Sequence, residues 1–159
     1  MVESKKAEVI FWSIALPGFG QYLNGKILKG TVFILLEFIV NMKSGLNYAI
    51  LPSFYGNIQE AIAHTNFQWL MFYPCLYLFA MWDAYRDAGG GQEPFSFLPF
   101  VFSAFIGTIG VVYSPVFHIN GVYLGVIWLP ILFLILGFFI GKIIRKIVIN
   151  YNKEGSSSV

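Results

Sequence analysis

The sequence predicts an all-α integral membrane fold: a compact bundle of about four transmembrane helices plus a short broken or re-entrant N-terminal helix. Three observations predict it. Of 159 residues, 57% are hydrophobic and only 11% charged, against about 25% charged in an ordinary soluble domain; the mean hydropathy is +0.70. Five apolar segments follow one another, and the basic residues gather at one set of segment ends. So few charges cannot clothe a water-soluble domain of this size. Aromatic residues make up 19%, seventeen of them Phe, which suits a surface facing lipid.

The opening MVESKKAE is polar and places Lys5 and Lys6 before an apolar stretch, as a secretory signal does, with Ser13 and Ala15 as small residues. The apolar core before that point is short and further apolar segments follow directly, so cleavage is not expected. The first segment, 9–23, is interrupted by Pro17, Gly18 and Gly20 and falls short of the ~20 apolar residues a spanning helix needs. It reads as a helix break whose irregular backbone other helices must cover. The second, 30–48, carries Glu37 near its middle, and Lys43 can snorkel towards the far interface. The third, fourth and fifth, 67–85, 95–113 and 122–140, each supply about nineteen residues, a bilayer-spanning length.

Between them, 44–66 and 114–121 contain no Lys or Arg, and NIQEAIAHT suggests a short surface helix in the longer loop. Lys26, Lys29, Arg86, Lys142, Arg145, Lys146 and Lys153 flank the opposite ends. The positive-inside rule then puts the 86–94 loop and the C-terminus in the cytoplasm. With a re-entrant first segment, Lys5 and Lys6 obey the same rule; the rival topology has five spans and an outside N-terminus. Residues 1–151 read as one polytopic membrane domain and 152–159 as a disordered cytoplasmic tail. Ten Lys and Arg against eight Asp and Glu give a net charge of +2 with no basic stripe, so nucleic acid is not an expected partner. Cys75 is the single cysteine, which excludes an intrachain disulfide.

The run LPGFGQYLNGKILKG at 16–30, with Pro17, Gly18, Gly20, Gln21, Tyr22, Gly25, Lys29 and Gly30, resembles a signature of small bacterial multi-pass membrane proteins, P-G-x-G-Q-x-[YF]-x-G-x-x-x-K-G. These are related to the two-transmembrane-helix domain family, and Asp83 in MWDAY looks like that family's terminal Asp. The resemblance implies the bacterial cell membrane and a compact helical hairpin, and no activity. Read physically, Pro17, Gly18 and Gly20 stop a helix and turn the chain. Gln21, Asn24 and Tyr22 can bond the backbone groups that the break exposes. Gly25 and Gly30 allow close helix approach, and the spacing is not that of a nucleotide-binding phosphate loop.

Glu37 is the costliest residue to insert, at about 2.5 to 3.5 kcal/mol near mid-bilayer. Asn41, one turn later, shares its face, and Gln21 or Asn24 can approach from the break. Asp83 and Arg86, three apart, suit a local ion pair. His64 and His118 lie in the outer loops without metal-ligand spacing, and no nucleophile motif appears, so no catalytic, cofactor or metal residues are expected. Gly121 with Gly125 and Gly137 with Gly141 have the spacing of close helix packing, as do Ser103 and Gly107; Pro74 and Pro130 are expected to kink their helices. The expected function is that of a non-enzymatic multi-pass membrane protein, an accessory or scaffolding component meeting lipid and either a membrane-protein partner or its own copies. The alternative is a small oligomeric transporter or channel that uses Glu37 near the LPGFGQ break.

Overall fold

The computed structural model describes residues 2–157, with side chains over 3–153. α1 (Val2–Ala15) lies along α7 (Tyr73–Asp87): Val9 packs with Ala84 and Ala88, and the Tyr77 hydroxyl donates to the Ile14 carbonyl. Pro17 follows, and Gly18 takes a φ of 109°, a left-handed conformation open to glycine, so the helix stops and the chain reverses. α2 (Phe19–Leu23) returns beside the same helix, with Gly20 so close that a Cβ on it would sit 2.7 Å from both the Ala84 methyl and the Val9 carbonyl oxygen.

Gly25, at φ 71°, ends α2 in a Schellman turn. The Lys26 amide donates to the Gln21 carbonyl at 2.9 Å and the Gly25 amide to the Tyr22 carbonyl at 2.9 Å. α3 (Ile27–Ser44) then runs antiparallel to α7, from the Asp83 end towards Tyr73.

At the far end, α4 (Leu46–Phe54) and α5 (Ile58–Ala63) fold the 44–66 connection into a packed cap, closed where the Asn66 amide donates to the Ser44 carbonyl at 2.8 Å. Leu46, Ala49 and Ala61 form a core there with Leu70 of α6 (Phe67–Leu70), Val111 of α8 (Leu98–Tyr113) and Val126 of α9 (Gly125–Ser157). Trp128 donates from Nε1 to the Ser53 carbonyl at 3.2 Å and packs on Phe54. Between α8 and α9, β1 (His118–Ile119) and β2 (Val122–Tyr123) make a minimal antiparallel hairpin. Asn120 and Gly121 form its turn, both at positive φ, as a two-residue Asn-Gly turn requires.

α8 and α9 pack along their lengths through small residues. Ser103 Oγ donates to the Leu134 carbonyl at 2.8 Å. A Cβ on Gly137 would lie 2.5 Å from the Phe102 carbonyl oxygen, and one on Gly141 would lie 2.6 Å from Pro99 Cα. Gly125 instead sits against Ile58 of the cap, and a Cβ on Gly121 would meet nothing within 4 Å, its place in the hairpin turn replacing the expected helix contact.

The expectation of about four transmembrane helices is corrected: among the described residues, one helix is long and apolar enough to cross a membrane, over Gly125–Lys153 of α9. The cause is that apolar runs are not unbroken helices. The 67–85 run is divided by a turn at Met71 and Phe72; Pro74 occupies the first turn of α7 rather than kinking it, leaving 15 residues or about 22 Å. The 95–113 run loses its start to a turn in which Phe95 has φ 56°, leaving the 16 residues of α8. α3 has 18 residues but carries Lys29, Glu37 and Lys43, and it ends at Gly45 in the left-handed conformation. The 122–140 run begins as a strand, yet its helix continues far beyond Ile140, with Pro130 inside it. Of the tail expected to be disordered, residues 152–157 continue the backbone of α9, and 158–159 lie outside the described residues.

Gly137→Leu is expected to destabilise the fold by about 1 to 3 kcal/mol through overpacking against the α8 backbone. Leu136→Ala, at a half-exposed neighbouring position, should cost less than about 0.5 kcal/mol. Thermal unfolding in mild detergent compares them.

Candidate functional site

Two polar clusters lie on α7, one at each end. The first forms because the break at 17–20 turns α2 so that its polar face meets the last turns of α7. Gln21 is fully buried; its Nε2 donates to the Ala80 carbonyl at 2.8 Å and to Asp83 Oδ2 at 3.1 Å. Asn24 Nδ2 donates to the Ala84 carbonyl at 2.8 Å. In the first turn of α3, Lys29 Nζ reaches Asp83 Oδ1 at 2.8 Å and Asp87 Oδ2 at 2.9 Å. Two side-chain amides and an ammonium therefore meet carbonyl and carboxylate acceptors at the C-terminal end of a helix, where its macrodipole favours positive charge.

The hydrogen bonds to Asp83 and Asp87 raise the Lys29 ammonium above its ordinary pKa. Tyr22 completes the turn, its hydroxyl 2.8 Å from Thr31 Oγ1 and its ring against Gly30. Gln21, Asn24 and Lys29 direct their donors from α2 and the start of α3 onto α7, which makes the cluster a structural clamp. Gln21 Oε1 and Asn24 Oδ1 are buried acceptors without a hydrogen-bond partner.

The second cluster is smaller. Glu37, 5% exposed, accepts from the Tyr73 hydroxyl at 2.9 Å, and Asn41 lies beside the same carboxyl. Tyr73 stacks on Tyr77, whose hydroxyl bonds the Ile14 carbonyl just before the break. Glu37 Oε2 and Asn41 Oδ1 are buried acceptors without a hydrogen-bond partner.

The structure thus brings Gln21, Asn24 and Asp83 together and keeps Glu37 with Asn41 apart from them. The break reaches Glu37 only through Tyr77 and Tyr73, not through Gln21 or Asn24. The expected Asp83 pairing with Arg86 is replaced by Lys29, fifty-four positions away. Sequence reasoning missed Tyr73, a hydroxyl in an apolar run that needs a partner when buried, and Asp87, one turn beyond Asp83 on the same face. Among the described residues, no three His, Cys, Asp or Glu side chains converge to hold a metal. Comparison with family models, curated proteins and solved structures gives no match.

Gln21→Leu, which strips Asp83 and the Ala80 carbonyl of a donor, is expected to cost about 1 to 3 kcal/mol of stability. The Lys29 contribution has a defined pH sense, because its folded pKa is raised. It is fully present below the unfolded lysine value of about 10.4 and is lost as pH rises through the folded value. Unfolding followed from pH 8 to 12 should show this alkaline loss, and Lys29→Met should show less of it.

Proposed function

We propose that this chain is a non-enzymatic integral membrane protein of the bacterial cell membrane, an accessory or scaffolding component that packs beside other membrane proteins. One observation carries the reading: apolar surface that the chain itself leaves uncovered. Only 22% of the apolar window of α9 is buried, and Ile131, Leu132, Ile135, Leu136, Phe139 and Ile143 stand exposed along it. Val32, Leu35, Phe38, Ile39 and Met42 do the same on α3, and Val101 and Phe105 on α8. A surface of that extent suits lipid or a protein partner within lipid. α9 is the helix that crosses the bilayer, with the end bearing Arg86, Arg145 and Lys146 facing the cytoplasm by the positive-inside rule. The likeness of 16–30 to the small bacterial membrane-protein signature agrees with this reading, and the clamp supplies a physical reason for such a motif.

A second reading, a small oligomeric transporter or channel, is favoured by one feature: the buried Glu37 carboxyl with an unpartnered Oε2. The readings part at Glu37→Gln. The accessory reading expects the variant to fold, to stay in the membrane fraction after alkaline carbonate extraction, and to retain the same co-purifying partner in mild detergent. The transporter reading expects a partner-free homo-oligomer whose proton or ion flux in liposomes falls at least tenfold in the variant.

A further inference from the structure

A groove of about 640 Å³ runs between α7 and α8. The helices are antiparallel: Cys75 meets Thr108 at one end, and Trp82 packs at a tilt against Phe100 towards the other, where Arg86 and Phe97 form the mouth. Along its length the lining is apolar, with Leu78, Phe79, Val101 and Ala104. The deep end offers little to a polar ligand, because the Thr108 hydroxyl donates to the Ala104 carbonyl at 2.9 Å and the Cys75 sulfur lies 3.8 Å from that hydroxyl.

The mouth is different. Lys29 takes both Asp83 and Asp87, and Arg145 takes Glu93, so among the described residues no carboxylate is within ion-pair distance of Arg86. An exposed guanidinium without an ion-pair partner among the described residues therefore stands at the mouth of an apolar channel, at the basic end of the molecule. Trp82 sits one turn below it, where amphipathic aromatic rings favour the headgroup level.

From this charge and shape we infer that the groove holds one acyl chain of an anionic phospholipid, with the lipid phosphate on Arg86. Guanidinium suits phosphate because its planar fork offers paired N–H donors. The largely apolar lower groove, its Thr108 hydroxyl already bonded to Ala104, takes the chain, and the cation at the other end fixes its direction. A buried transmembrane peptide would find no counterpart to that polarity. The inference rests on the membrane reading above and names the lipid class the surface prefers.

The test uses the full chain in mild detergent with equal dioleoylphosphatidylglycerol and dioleoylphosphatidylcholine, read by native mass spectrometry. Retention of the anionic lipid should exceed that of the zwitterionic one by about fivefold, the upper range of an exposed ion pair. Arg86→Gln, a change at an exposed side chain, should bring the ratio to about one. Ala104→Phe should reduce retention of both lipids by filling the groove. Cys75, the single cysteine, gives an independent readout: a lipid-soluble maleimide should label it more slowly when the anionic lipid is bound. Equal retention of both lipids by the unmodified chain, or a preference unchanged in Arg86→Gln, overturns the inference. So does ready oxidation to a Cys75-linked dimer, which would seat a second copy in the groove. A chain that stays soluble without detergent overturns the membrane reading itself and the inference with it, an outcome distinct from the others.

Discussion

A helix broken inside an apolar protein exposes backbone groups that water cannot reach, and each must find a partner within the chain. Here the break at Pro17 and Gly18 turns α1 back as α2, and the two lie together on α7. α7 is tied to the break in both directions: its Tyr77 hydroxyl donates to the Ile14 carbonyl, Gln21 and Asn24 donate to its Ala80 and Ala84 carbonyls, and Lys29 pairs with Asp83 and Asp87 on its rim. α3 departs from this clamp, so its direction and the distance of Glu37 from the break follow from the same contacts. Small residues make the geometry possible. Gly20 admits α1 against α2, and Gly30 lets the Tyr22 ring lie flat on α3.

The other half of the molecule depends on close packing instead of polar bonds. Ser103, Gly137 and Gly141 draw α8 and α9 together, and the 44–66 cap seals their far end through Ala61, Val111 and Val126. That leaves apolar side chains exposed on the outward faces of α3, α8 and α9. The clamp and the packed pair meet along the groove between α7 and α8, where Arg86 lies at the mouth of a largely apolar lining.

Much of this was legible in the sequence, in identifiable places. Pro17, Gly18 and Gly20 announced the break because their backbone chemistry is local. Gln21 and Asn24 stand out as polar groups beside a break, and Gly137 and Gly141 as a packing face. What was not legible was continuity. Met71 and Phe72 look like any apolar pair, yet they form a turn that leaves α7 too short to span, and Phe95 gives no sign of its positive φ. The count of spanning helices therefore came out too high, since hydropathy measures composition and not hydrogen-bonded length. In the sequence Lys29 is one more basic residue at a segment end, because its partners lie more than fifty residues away and only the fold brings them together. The Asn120–Gly121 turn, by contrast, is a two-residue hairpin signal that the run of apolar neighbours masked.

Hydrogen exchange of the intact protein in mild detergent tests the clamp most directly, comparing the unmodified chain with Asp83→Leu. The account predicts that amides of 9–24 lose protection together in the variant, while α8 and the first half of α9 keep theirs, because the clamp organises the N-terminal hairpin and not the packed pair. Unchanged protection over 9–24 would contradict it, as would a loss spread evenly over the whole chain.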